Sequence, residues 1–335
     1  MKICIASLKF SPGHISHIIA YKKSFESLGY SVYLLLHHNY KSIIESNIIN
    51  EKINWFDNKI DFGFDFNIFP LVNPSEKNYI IAKKIRKINK NTKIIYLFHE
   101  PWKGVKNTYK EGIKKFLKAI IAHFFSIKLL KYTDLVSVVT HKMEKDYEEL
   151  IGNKVFFLPN GFDGDISIKN KLNIKKKNKL NIAYTGSFHP IFVELTPFLK
   201  ALKKVIISQK NVDINFIYAG MNARWVENEF YKLQINNILT NYGFVSREKS
   251  LEIQKNADVL LLIAYTGDNE KAGASSRTGK VYEYLASGKP IIAIAPLNWE
   301  MKEEIEADGV SKVFHKSQTN DMANYLVKLS KKERI

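Results

Sequence analysis

The sequence predicts an α/β protein of two Rossmann-like domains, on three observations. Patterns of buried strand and amphipathic helix alternate along the chain twice over, the mark of parallel sheets covered by helices. The 335 residues exceed the roughly 100–200 of a usual single domain. Residues 164–179 are rich in Lys and Asn with little apolar periodicity, and read as a linker. The expected division is an N-terminal domain over 1–163, a hinge at 164–179 and a C-terminal domain over 180–335, facing a central cleft that the hinge lets close.

In the first half, strands are expected at Lys2-Ser7, Ser31-Leu36, Phe66-Phe69, Lys93-Phe98, Leu135-Val139 and Val155-Leu158, with helices filling the gaps. The first helix, Ile15-Leu28, should stop at Gly29, where a residue without Cβ takes the left-handed conformation. In the second half, strands are expected at Leu180-Thr185, Asn215-Ala219, Ile238-Tyr242, Val259-Ile263, Ile291-Ala295 and Lys312-Phe314. Helical patterns lie at Pro197-Ser208, Glu248-Asn256, Thr278-Ala286 and Glu300-Ala307. A last amphipathic helix, Asp321-Ser330, is free to pack anywhere on the surface, including across onto the N-terminal domain.

Composition narrows the function classes. Hydrophobic residues at 45% and charged residues at 25% fit a folded chain and not a disordered one. The single Cys4 leaves neither an internal disulfide nor a cysteine framework for zinc, which favours the cytoplasm. The apolar stretch after Met1-Lys2 is too brief for a signal sequence. The greasiest region, 113–130, is broken by Lys114, Lys115, Lys118 and Lys128, short of the ~20 apolar residues that span a bilayer. The net charge of +18 points to a polyanionic partner, whether nucleic acid, anionic membrane or phosphorylated substrate; solvated lysine faces are the alternative. None of the histidines has metal-ligand spacing, so no metal is expected.

The most informative segment is 275–290. Ser276 or Thr278 can cap a helix that Gly288 and Pro290 stop, aiming a short helix into a buried parallel strand. Its N-terminus offers free N–H groups and partial positive charge, and Arg277 and Lys280 add two full charges, so a diphosphate fits there. Glu283 lies one turn after Lys280 on the same face. A carboxylate accepts two hydrogen bonds at once and can grip the adjacent hydroxyls of a ribose. The competing reading is an exposed Glu283 paired with Lys280 at i,i+3.

Lys280-Val281-Tyr282-Glu283-Tyr284-Leu285-Ala286-Ser287-Gly288-Lys289-Pro290-Ile291-Ile292-Ala293 resembles the donor-site signature of the GT-B glycosyltransferases, especially glycosyltransferase family 4 and its relatives in bacterial surface-polysaccharide synthesis. Three further segments resemble the family in order and spacing: Leu158-Pro159-Asn160-Gly161-Phe162-Asp163 at the end of the first domain, Ala183-Tyr184-Thr185-Gly186-Ser187 opening the second, and Tyr242-Gly243-Phe244-Val245-Ser246 before Ala257-Asp258-Val259. The resemblance implies that Glu283 binds the ribose of a donor nucleotide, that Gly186 and Ser187 border the diphosphate, and that backbone groups from Gly243 to Val245 meet the base. Two departures stand out. Many relatives carry a second Glu eight residues before the first, where this chain has Ser275. Relatives also often place Arg and Lys after the glycine loop, where this chain reads Phe188-His189-Pro190-Ile191-Phe192. Ser276, Arg277, Thr278 and Lys280 are expected to take over the diphosphate.

In the first half, Gly13 in Ser11-Pro12-Gly13-His14 follows the first strand, where it admits a ligand or makes a plain turn. His99 and Glu100 follow the strand Lys93-Phe98; relatives carry a His near the donor sugar, and Glu100 is placed to act as general base if configuration inverts. Residues 103–131 carry an apolar stripe edged by Lys114, Lys115 and Lys118, which suits either an anionic membrane surface or a core-facing helix.

The implied activity is transfer of a sugar from a nucleoside-diphosphate sugar to an acceptor hydroxyl on a glycan or lipid-linked acceptor. It uses no cofactor or metal, retains configuration, and is cytoplasmic or peripheral on the inner face of the membrane. The rival readings are a nicotinamide-dependent oxidoreductase, which needs a G-x-G-x-x-G turn that the Ser7-His14 loop lacks, and a non-catalytic binding module. Nucleic acid is not expected, because the aromatic residues sit inside strand and helix patterns.

Overall fold

The computed structural model describes residues 1–8, 15–41, 53–56, 66–72, 76–98, 124, 127–152, 154–162, 179–188, 193–209, 212–268 and 270–331. The chain forms two compact units, Met1–Asp163 and Gly164–Ile335. Of the expected linker, residues 164–178 lie outside the described residues, and Lys179 already begins a strand.

The N-terminal unit is a seven-stranded sheet, parallel throughout, built from β1 (Lys2–Ser7), β2 (Ser31–His37), β3 (Ile53–Phe56), β4 (Ile68–Val72), β5 (Lys93–Phe98), β6 (Leu135–Val138) and β7 (Val155–Phe157) in the order β3-β2-β1-β4-β5-β6-β7. Helices α1 (Ile15–Ser27), α2 (Glu76–Ile88) and α3 (His141–Ile151) connect the strands. One core cluster gathers Leu35, Phe69, Ile81, Tyr96 and Phe98, and a second gathers Ile3, Ile5, Ile18, Leu34 and Leu36. Two clusters on one sheet are what alternating side chains of a doubly covered strand produce. Gly29 ends α1 at φ +81, as its position predicts. β3 was not expected, because Ile-Asn-Trp-Phe is too short to carry a period, and β4 continues through Pro70, where the sequence pattern had stopped.

The C-terminal unit repeats the plan with six parallel strands. These are β8 (Lys179–Thr185), β9 (Asp213–Ala219), β10 (Leu239–Asn241), β11 (Val259–Ile263), β12 (Ile291–Ile294) and β13 (Lys312–Phe314), in the order β10-β9-β8-β11-β12-β13. Its helices are α4 (Thr196–Ser208), α5 (Ala223–Lys232), α6 (Arg247–Asn256), the one-turn α7 (Glu270–Gly273), α8 (Gly279–Ser287), α9 (Lys302–Glu306) and α10 (Thr319–Lys331). All five residues of β11, Val-Leu-Leu-Leu-Ile, are buried, at about 1.5–3 kcal/mol per side chain. The sequence reading missed α5, which buries Val226 and Phe230. It also allowed α10 to cross onto the N-terminal domain. In fact Met322 and Leu326, both fully buried, pack into the C-terminal domain's own core with Phe198 and Leu202.

Strand order reverses direction between β8 and β11, so their carboxyl ends border the crevice where open α/β sheets bind ligands. Among the described residues no helix is long and apolar enough to cross a membrane.

Candidate functional site

Gly186 follows β8 at this switch point. Its N–H donates to the Ala219 carbonyl at 2.7 Å, and its φ of +125 is open to glycine alone without strain. A Cβ on Gly186 would stand 2.2 Å from Lys280 Cε and 2.7 Å from Nζ, so the missing side chain is the space the lysine occupies. Lys280 comes from the first turn of α8, and its Nζ lies 5.4 Å from the centroid of the Tyr184 ring, within cation–π range. It forms no ion pair with any described carboxylate. Burial pushes its pKa below the ordinary lysine value, while the nearby Glu283 charge pulls it back up.

Glu283, one turn further along α8, is half-buried and does not pair with Lys280. Its Oε1 lies 3.3 Å from Arg247 Nη1, and its Oε2 accepts from Gln254 Nε2 at 3.2 Å. The same Gln254 amide donates to Thr185 Oγ1 at 2.8 Å and reaches Ser250 Oγ at 3.4 Å. Thr185 is the last residue of β8, and its N–H donates to the Tyr284 hydroxyl at 3.0 Å. Burial raises the Tyr284 pKa to about 12, so this hydroxyl stays protonated. The sequence reading did not single out Gln254, Thr185, Tyr184 or Arg247. The available signal was Gln254 itself, an amide fully inside the buried face of α6.

The other residues of the segment divide. Thr278 occupies the N-cap position, but its hydroxyl makes no capping bond, and the Ser276 hydroxyl donates to the Ala264 carbonyl at 3.3 Å. Gly288 closes the helix in the left-handed conformation at φ 64 and ψ 18. Arg277 does not supply a spare cation. Its side chain is 3% exposed, and its Nη2 meets Glu300 Oε1 at 3.0 Å and Glu304 Oε1 at 3.4 Å. Burial works against its charge, but Tyr282, Glu304 and Glu300 outweigh that and hold its pKa above the ordinary arginine value. Arg277, expected to share the diphosphate, here meets the two carboxylates of Glu300 and Glu304 within its own domain. Ser275 is buried.

Three glycine turns interlock at the carboxyl ends of β8, β9 and β10. Gly220 donates to the Gly243 carbonyl at 2.7 Å, and a Cβ on Gly220 would strike the Gly186 carbonyl oxygen at 2.1 Å. Gly243 sits at φ +62 and spends its N–H on Asn241 Oδ1 at 3.0 Å, leaving only a second carbonyl lone pair for any ligand. Val245 is half-buried against the core, and Ser187 lends its carbonyl to the Tyr184 hydroxyl at 3.3 Å. Phe244 is 78% exposed beside them.

Gly13, His99 and Glu100 lie outside the described residues, as does most of 103–131. At the end of that stretch Leu129 and Leu130 are buried in the N-terminal core, whereas Phe124 is exposed with Lys128 Nζ 4.2 Å from its ring centroid. Among the described residues no group of three or more His, Cys, Asp or Glu side chains is placed to hold a metal ion.

No family model and no curated protein matches the sequence. The fold, however, matches solved structures over nearly all of the chain. One is WaaG, a glycosyltransferase involved in lipopolysaccharide biosynthesis: 13% identity, 98% of this chain and 90% of that one, TM-score 0.63. Another is the sucrose-phosphate synthase of Thermosynechococcus elongatus: 11% identity, 98% and 89% coverage, TM-score 0.64. A third is a putative UDP-N-acetylglucosamine 2-epimerase from Listeria monocytogenes: 11% identity, 99% and 88% coverage, TM-score 0.57. The chain therefore has the GT-B fold of two Rossmann-like domains, as the sequence predicted.

Proposed function

We propose that the chain is a glycosyltransferase that takes a sugar from a nucleoside-diphosphate sugar held by its C-terminal domain. One observation carries the reading: Lys280 stands at Gly186, where β8 ends at the switch point, and Glu283, one turn further along α8, is joined through Gln254 to Thr185 at that same strand end. Lys280 then neutralises the charge that grows on the departing diphosphate, with the N-terminus of α8 beside it. Glu283 accepts from the two ribose hydroxyls. Its contact with the half-exposed Arg247 is weak enough for those hydroxyls to replace.

The finer proposals follow the family resemblance. Transfer proceeds without metal and with retention of configuration, and the acceptor is a glycan or lipid-linked acceptor in bacterial surface-polysaccharide synthesis. The enzyme works in the cytoplasm, with residues 103–131 meeting the anionic inner face of the membrane. His99 and Glu100 serve the sugar and acceptor side, and Gly13 admits the ligand to the first-domain loop. A fold shared with an epimerase makes acceptor dependence the decisive property. The test is a thermal-shift screen against UDP, GDP, ADP and NAD, then donor turnover in chelator with and without glycan acceptors. One nucleoside diphosphate at a hundred times its Kd should stabilise by about 2.7 kcal/mol. Stabilisation by NAD alone, or a product altered at C2 of the sugar without acceptor, overturns the proposal.

A further inference from the structure

We infer that Gln254 is a positioning residue for the donor carboxylate: its buried amide fixes Glu283 to the end of β8, so that the ribose and diphosphate contacts are held as one rigid unit. The inference rests on the donor-site reading above and deepens it.

Gln254 lies on α6, in the buried face that packs over the sheet, and is 1% exposed. A buried amide with no polar purpose is a liability, since leaving it unpaired is destabilising. Here the Nε2 group faces three acceptors. Thr185 Oγ1 at 2.8 Å ties it to the strand, Glu283 Oε2 at 3.2 Å ties it to α8, and Ser250 Oγ at 3.4 Å lies on its own helix. Gln254 Oε1 has no hydrogen-bond partner. The amide is therefore oriented by what its nitrogen donates to, and a charged acceptor is the strongest of the three. Rotating the amide would set Oε1 against the carboxylate, so Glu283 and Gln254 hold each other's geometry. Thr185 is also the residue before Gly186, and its N–H is tied to the Tyr284 hydroxyl. The loop proposed for the diphosphate and the carboxylate proposed for the ribose thus share one polar junction.

A neutral donor suits this position because the junction is already charged. Arg247 from α6 and Lys280 from α8 are the charges facing Glu283, with Tyr284 the neighbouring titratable group. An amide directs the carboxylate without adding a further charge.

The test compares ribose and dideoxyribose ligands. Binding of UDP, GDP and ADP, and of their 2′,3′-dideoxy counterparts, is measured by calorimetric titration on the full chain and on three variants. Gln254→Met is expected to weaken the best-bound ribonucleotide about tenfold and to leave its dideoxy counterpart within about twofold, because only the first uses Glu283. Thr185→Val, which unties the amide from the strand without touching α6, should repeat the pattern more weakly. Gln254→Glu should restore ribonucleotide affinity at low pH, where the introduced acid is protonated and donates to Glu283, and lose it as pH rises. An equal loss for both ligand types, or a pH profile of Gln254→Glu matching the unsubstituted protein, overturns the inference. Should Gln254→Met fail to fold, Thr185→Val and the Gln254→Glu pH profile decide it. The donor-site reading fails separately: it falls if no nucleoside diphosphate binds or if Glu283→Ala binds ribonucleotides normally. Loss on Glu283→Ala with full retention in the Gln254 variants removes only the positioning role.

Discussion

The two sheets are organised alike at both ends of their strands and differ, among the described residues, in what stands beside the switch point. At the amino ends, Asp134 precedes β6 and accepts from the Ile94 N–H at 2.8 Å, while Asp258 precedes β11 and accepts from the Asn181 N–H at 2.8 Å. At the carboxyl ends, β1 finishes at Ser7, whose hydroxyl lies 3.2 Å from that of Tyr40, and β8 finishes at Thr185, bonded to Tyr284. In the N-terminal domain the Ser7 hydroxyl meets that of Tyr40 among the described residues. In the C-terminal domain the junction continues through Gln254 to Glu283 and stands beside Lys280. The scaffold is duplicated, and the polar side chains on α6 and α8 are what the described C-terminal switch point adds.

The largest effect expected from breaking that difference is at Glu283. Glu283→Ala should weaken nucleotide binding roughly a hundredfold, since two hydrogen bonds to a charged acceptor are lost at about 1.5 kcal/mol each. The melting temperature should barely move, and calorimetric titration reads the affinity. Lys280→Met comes next, at about ten- to fiftyfold by loss of a charge-assisted phosphate contact. The unsubstituted protein should hold nucleotide fully where Lys280 is protonated and lose it as pH rises through the Lys280 pKa, which burial sets below the usual lysine value; the Met variant should show no such decline. Arg277→Ala provides the contrast, retaining affinity within about threefold while losing about 1–3 kcal/mol of stability, because the buried guanidinium's ion pair with Glu300 is lost.

Two smaller effects sharpen the comparison. Tyr284→Phe and Tyr40→Phe should each cost about 1 kcal/mol in chemical denaturation, but only the first should also weaken nucleotide binding, by a few fold. Asp134→Asn probes the amino end, opposite the carboxyl ends where open α/β sheets bind ligands. Burial opposes the Asp134 charge, yet the Ile94 N–H and the Arg86 guanidinium outweigh it and hold the carboxyl below its ordinary value. Its contribution of about 1–2 kcal/mol is therefore complete above the unfolded carboxyl's pKa and disappears as pH falls through the lower folded value. The variant should match the parent in acid denaturation and fall behind only above it.

The elements legible in the sequence were those with strong local grammar. β1, β5, β11 and β13 fall at the residues predicted, because short unbroken apolar runs such as Val-Leu-Leu-Leu-Ile read as buried strands of a parallel sheet. Gly29 and Gly288 stop their helices because only glycine enters that conformation freely. β3 and α5 escaped because four residues are too few for a period, and because Trp225, Val226 and Phe230 are spread among charged neighbours. Within the candidate site, Glu283 and Lys280 could be nominated from spacing on one helix, but their partners could not.

By itself the sequence determined two doubly wound domains, the segment proposed to carry the site, and the presence in it of a carboxylate and cations on one helical turn. Those follow from periodicity and capping, which are properties of neighbours along the chain. Only the tertiary structure decided what each cation meets. Arg277 finds Glu300 twenty-three residues further on, whereas Lys280 fills the space that Gly186 leaves ninety-four residues before it. Gln254 meets Thr185 and Glu283 across similarly long stretches of chain. Long-range pairing of polar groups inside a core is fixed by packing geometry, and residue spacing along the chain holds no record of it.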